Sequence, residues 1–186
     1  MAPPQVAAGG GCRLNPAISW HGSQANFGRR RGEPMQISVA GLELIKRAEG
    51  FRSRVYFDVE GFPTIGYGHR LVHPETFPKG IDEAQAAALL TLDVRDAEAA
   101  VRRLVHVPLT PGQFDALVDF VYNLGQHRLA QSTLLGDLNA GRYAAAAEEL
   151  VRWDHAGAVE NAGLKARREA EFDLWMAGKP LEAVAG

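Results

Sequence analysis

From Ser38 onward the apolar residues settle into helical spacing, with Leu42, Ile45 and Ala48 on one face. Ser38 stands ahead of them as a helix-capping residue, and Ile37 and Leu42 are placed as a hydrophobic staple. Gly50 supplies the stop, so Glu49 falls in the last turn of a short helix. Residues 54–59 are rich in β-branched and aromatic side chains, Glu60-Gly61 is a turn signal, and 62–67 continue as a second strand. The expectation is a hairpin with a third short strand near 70–72. Gly66 and Gly68 flank Tyr67 and permit close backbone approach or positive φ.

The pattern is helical from there on. Asp82 and Gln85 form a capping box ahead of a long helix with Leu90, Val94, Ala97, Val101 and Leu104 on one face. Thr110-Pro111-Gly112-Gln113 starts another, carrying Phe114, Leu117, Val118 and Val121 and closed by Gly125. Shorter helices are expected over 132–139 and 142–153, a loop over 154–163, and a final helix over 164–177 capped by Gly178. Residues 1–34 show neither period and are rich in Gly, Pro, Ala, Ser and Arg, which reads as a disordered tail. The domain organisation that follows is this tail, one folded domain over 35–180, and a short tail over 181–186. The fold class is α+β. A small lobe of N-terminal helix and hairpin is joined by a long helix to an all-α lobe, with a cleft between.

Composition narrows the class. The chain has 186 residues, 46% hydrophobic and 23% charged, and reads as globular. Net charge is −2, and residues 1–34 contribute four Arg and one Glu, so the remainder is about −5. That argues against a nucleic-acid binder. Cys12 is the only cysteine, so no intrachain disulfide forms. No apolar run approaches the ~18 residues of a membrane span. The N-terminus lacks the basic start and apolar core of a secretion signal, and none is expected.

Glu49, Asp58 and Thr64 are the candidate chemistry. The C-terminal end of a helix carries partial negative charge, and Ile45, Phe51 and Tyr56 could dehydrate the carboxyl. Both favour the protonated form that a general acid needs. The plain alternative is a surface Glu paired with Arg52 or Arg54. Asp58 is expected mid-strand, where Asp is unfavourable by propensity. It is either a general base facing the cleft or a strand-end Asp capping the turn near Glu60. Thr64 could hold a water beside Asp58, or be only a good strand former. Two acids flanking one linkage, with a held water, are what glycoside hydrolysis requires.

The spacing Glu-x8-Asp-x5-Thr followed by Ile65-Gly66-Tyr67-Gly68-His69 resembles the phage-type lysozymes, the T-even phage lysozyme family of muramidases (glycoside hydrolase family 24). Phe120-Val121-Tyr122-Asn123-Leu124-Gly125 resembles that family's helix end beside the cleft. Gly163-Leu164, Arg167-Arg168-Glu169 and Leu174-Trp175 resemble its C-terminal helix. The likeness spans roughly 36–180 and implies a lysozyme-like fold. It also implies cleavage of the β-1,4 bond between N-acetylmuramic acid and N-acetylglucosamine. Carried over, Glu49 is the general acid, Asp58 activates water or supports the transition state, and Thr64 positions water. The family looks inverting, which implies carboxyls roughly 6.5–9.5 Å apart.

Four further residues are candidates for the substrate groove: Tyr67, His69, Tyr122 and Asn123. For His69 the favoured reading is bracing of the hairpin against the helices. Tyr122 and Asn123 are balanced between sugar contact and helix packing. His69 and His73 are four apart but lack a third ligand, so no metal is expected. Lys165, Arg167 and Arg168 read as a solvated helix face. No cofactor is expected, since proton transfer activates the bond. The resemblance implies a monomeric endolysin of the host bacterial cytoplasm that reaches peptidoglycan after a holin-type partner opens the membrane. The alternatives are a non-catalytic peptidoglycan-binding module on the same scaffold, or a secreted bacterial wall-degrading effector.

Overall fold

The computed structural model describes residues 34–156 and 159–177. Cys12, Gly178 and the tails expected over 1–34 and 181–186 therefore lie outside the described residues, apart from Pro34.

Helix α1 (Val39–Glu49) opens where the cap predicts: the Ser38 hydroxyl accepts from the amides of Ala40 and Gly41. Gly50, at φ 70°, ends it. Strands β1 (Arg52–Phe57), β2 (Pro63–Gly66) and β3 (His69–Arg70) form an antiparallel sheet in sequence order. The register sets Tyr56 opposite Thr64, and Thr64 opposite Arg70. Gly66 allows the close approach expected of it: a Cβ there would sit 3.1 Å from that of Ala86, at a φ of 67°.

The long helix α2 (Glu83–Leu104) and α3 (Pro111–Leu124) both start on complete capping boxes, Asp82 with Gln85 and Thr110 with Gln113. Then follow α4 (Gln126–Ala130), α5 (Thr133–Asn139), α6 (Tyr143–Val151), β4 (His155–Ala156), β5 (Val159–Glu160) and α7 (Ala162–Ala177). Two of these correct the sequence reading. The segment after Gly125 is the short helix α4, and the loop expected over 154–163 contains the antiparallel pair β4–β5. Each is too short to carry a period. No described helix is long and apolar enough to cross a membrane.

Helix α3 is the centre of the described helical body. Gln113 through Val121 are all buried, and α1, α2, α4 and α7 pack around the helix. Phe114, Leu117 and Phe120 join Ile45, Leu90, Leu134, Leu150 and Trp175 in one core. Each fully buried Leu, Ile or Phe side chain contributes about 1.5–3 kcal/mol. Asp115 and Asp119 are buried in the same helix, at 2% and 0% exposure. The three-stranded sheet meets this body through α2, whereas α1 lies against α3 and α7.

Candidate active site

Glu49 ends α1 with its carboxyl facing neither Arg52 nor Arg54. Its ion-pair partner comes from the far end of the chain, where Arg167 Nη1 donates to Glu49 Oε1 at 2.8 Å. Arg167 is itself anchored: its Nε and Nη2 donate to Asp119 Oδ2 and Oδ1 at 2.9 and 2.7 Å. Beside it, Arg168 donates through Nη2 to Asn123 Oδ1 at 2.9 Å, pairs with Glu171 Oε1 at 2.8 Å and stacks over the Phe120 ring. This corrects the expected solvated face of α7. Arg167 and Arg168 are buried, because α7 lies along α3 and meets an aspartate there. Asn123 accordingly works as a packing acceptor for a buried cation.

Gly68 leaves space in front of Glu49. A Cβ on Gly68 would lie 3.6 Å from Glu49 Oε2 and 3.5 Å from the Tyr122 hydroxyl. Tyr122 donates to the Tyr67 carbonyl at 3.0 Å, which ties α3 to the hairpin beside the acid. Burial, with the charges of Asp93 and Glu49, pushes the Tyr122 phenol well above its ordinary range, so it stays a donor. Tyr67 contributes that carbonyl, while its ring is in the core, packed on Phe51 with centroids 5.6 Å apart.

Asp58 is not mid-strand. Strand β1 stops at Phe57, and Asp58 opens the turn. Its Oδ1 accepts from the amides of Glu60 and Phe62, both at 2.9 Å, and its Oδ2 pairs with Arg70 Nη2 at 3.0 Å. The unfavourable strand residue was thus a turn cap, the Asx arrangement that short carboxylates favour. The Phe62 amide first, then that of Glu60 and the Arg70 charge, hold its carboxyl below the usual carboxylate range.

Thr64 is brought to Asp58 by one backbone oxygen. The Phe62 carbonyl accepts from the Asp58 amide and from the Thr64 hydroxyl, both at 3.0 Å. Thr64 is only 2% exposed. His69 has both ring nitrogens engaged, Nδ1 with Asp93 of α2 at 2.9 Å and Nε2 with Glu75 at 3.2 Å. That is the bracing arrangement. Burial opposes charge on the ring, and the two carboxylates more than offset it, so its pKa is raised.

The sequence reading missed Asp119 and the identity of the Glu49 partner. Asp119 had a signal of its own: a charged residue on the apolar face of α3, one position from Phe120. The partner had none, being 118 residues away from Glu49.

The family profile described as phage lysozyme matches residues 46–171. The endolysin of Bacillus phage B103 is 44% identical over 149 residues, 78% of this chain and 56% of that protein. The endolysin of Salmonella phage P22 is 39% identical over 137 residues, covering 72% of this chain and 94% of that one. Among solved structures, the muramidase domain of SpmX from Asticaccaulis excentricus superposes with a TM-score of 0.70. It is 38% identical and covers 76% of this chain and 97% of that one. The chain spans less than two thirds of the length of the Bacillus phage relatives.

Proposed function

The chain belongs to the phage lysozyme family, and from that premise we propose that it is a muramidase. It hydrolyses the β-1,4 bond between N-acetylmuramic acid and N-acetylglucosamine in peptidoglycan, as an endolysin. The observation that carries the reading is the different environment of the two carboxyls. Asp58 is held as a carboxylate by two amides and Arg70. Glu49 is partly open beside a residue that has no side chain.

The geometry suggests a division of labour. Glu49 Oε1 is occupied by Arg167, which leaves Oε2, on the Gly68 side, to carry the proton given to the leaving oxygen. The Thr64 hydroxyl already donates to the Phe62 carbonyl. Toward a water it can act only as an acceptor. A water placed between Thr64 and Asp58 would give one hydrogen to each, turning its lone pair toward the sugar carbon. Tyr122 and the Tyr67 carbonyl border the acid, while His69 and Asn123 support the walls. The reaction is proton transfer and hydration. On this reading the protein is released from the host cytoplasm to the wall through a membrane lesion opened by a holin-type partner, and works as a monomer.

The experiment is turbidity loss of purified cell walls by wild type and Glu49→Gln. General acid catalysis is worth about 10²–10⁴-fold, so the variant should lose at least that much. Equal clearing by both proteins would show that Glu49 is not the acid. Mass spectra of the released fragments should show hydrolysed muramic acid reducing ends. Anhydro sugars or freed peptides would mean another bond or another reaction.

A further inference from the structure

We propose that Asp119 is a positioning residue for this reaction, holding Arg167 so that Nη1 of its guanidinium fixes the Glu49 carboxyl. The inference rests on the reading of Glu49 as the acid. Glu49 retains 27% side-chain exposure and is the last residue of α1, and its carboxyl accepts its hydrogen bond from Arg167. The fixed point is deeper. Asp119 is fully buried in the middle of α3, and both its oxygens accept from one edge of the Arg167 guanidinium. A planar fork pinned along one edge has a determined plane, so the remaining Nη1 can point only one way. That way is Glu49 Oε1, at 2.8 Å.

Glu171 is buried beside the same arginines. Its Oε1 lies 2.8 Å from Arg168 Nη2, and the carboxyl lies close to Asp119. Burial keeps the Glu171 carboxyl protonated far above the usual range. With Glu171 neutral, Asp119 is the anion that Arg167 reads. Among the described residues, the charged and titratable groups of the elements around Glu49 include Arg167, Arg168 and Glu171 from α7, Asp119 and Tyr122 from α3, Lys46 and Arg47 from α1, and Asp93 of α2 with His69 of β3.

The test is steady-state hydrolysis of soluble peptidoglycan fragments across pH by wild type, Asp119→Asn, Asp119→Glu, Arg167→Lys and the Asn/Lys double variant. Asp119→Asn keeps the shape but removes the charge. The kcat should fall about 10- to 100-fold, as expected for misplacing a catalytic group, with KM little changed. Without the Asp119 charge, uncompensated Arg167 favours the Glu49 carboxylate, so the alkaline limb of the kcat profile should move to lower pH. Asp119→Glu should lower kcat with that limb in place. If Asp119 acts through Arg167, the double variant should be no worse than Arg167→Lys alone.

An Asp119→Asn enzyme with wild-type kcat and pH profile would overturn the proposal, as would additive losses in the double variant. Should Asp119→Asn fail to fold, Asp119→Glu and Arg167→Lys decide it: unchanged kcat in both overturns the relay, and a kcat-only fall supports it. Glu49→Gln separates the two readings. Full activity there would remove the acid assignment itself, whereas an inactive Glu49→Gln beside a normal Asp119→Asn removes only the role of Asp119.

Discussion

Asp58 and Arg70 face each other across the hairpin, Oδ2 to Nη2 at 3.0 Å, while the other Asp58 oxygen caps the turn. Asp58→Asn keeps an oxygen for the two amides and loses only the charge. Thermal unfolding should therefore be close to wild type while wall clearing falls about 10²–10⁴-fold, the usual worth of a general base. Since the Asp58 pKa is held below its ordinary 3.8, the acid limb of wild-type activity should lie below that pH. Arg70→Gln should move the limb upward, which a pH series of clearing rates will show.

His69 gives a stability prediction with a definite sign. Its folded pKa is raised above the ordinary 6.5 by Asp93 and Glu75. The stabilisation is complete below pH 6.5, and is lost as pH rises through the folded value. His69→Asn should cost about 1–3 kcal/mol in acid, the worth of charge-assisted hydrogen bonds, and less in alkali. Urea unfolding at pH 5 and pH 9.5 should give the larger difference at pH 5.

Glu171 should tolerate an amide. A carboxyl that is protonated in the folded protein is matched in shape and donor capacity by Gln, so Glu171→Gln should cost under about 1 kcal/mol near pH 5. The raised folded pKa means that wild type loses stability as pH rises through it, and the Gln variant does not. Melting temperatures should therefore favour the variant increasingly toward alkaline pH. A uniform large loss at all pH values would mean that Glu171 serves as an anion for Arg168.

Gly41 should resist substitution despite lying within a helix. A Cβ there would meet Ile37 Cγ1 at 2.6 Å and the Asp115 Cβ at 3.0 Å. Gly41→Ala should destabilise by about 1–3 kcal/mol through overpacking, outweighing the roughly 1 kcal/mol of helix propensity gained. Denaturant midpoints will decide it.

The elements legible in the sequence are those whose signals are local. Ser38, Asp82, Thr110, Gly50 and Gly125 mark helix ends because capping involves groups three or four residues apart. The placement of Glu49 at the end of α1 followed from them. Asp58 was misplaced by one structural class, because strand pattern and turn cap share residue types within a window of a few positions. The Arg167 cluster was read as a solvated face for a different reason: α7 has a mixed sequence, and only contact with α3 shows which arginines are covered. The pairing of Asp119 with Arg167 spans 48 residues and leaves no periodic trace.

Helix α1 is held at both ends by the same neighbour. Its first residues are tied to Asp115 of α3, which accepts from the Ser38 amide and hydroxyl, and its last residue reaches Asp119 of α3 through Arg167. The span between two aspartates on one buried helix thus acts as a gauge for the length of α1. Adding or deleting a single residue within α1 would swing Glu49 by about 100° around the axis. One of the two fastenings would have to be released, however well the apolar contacts were refilled.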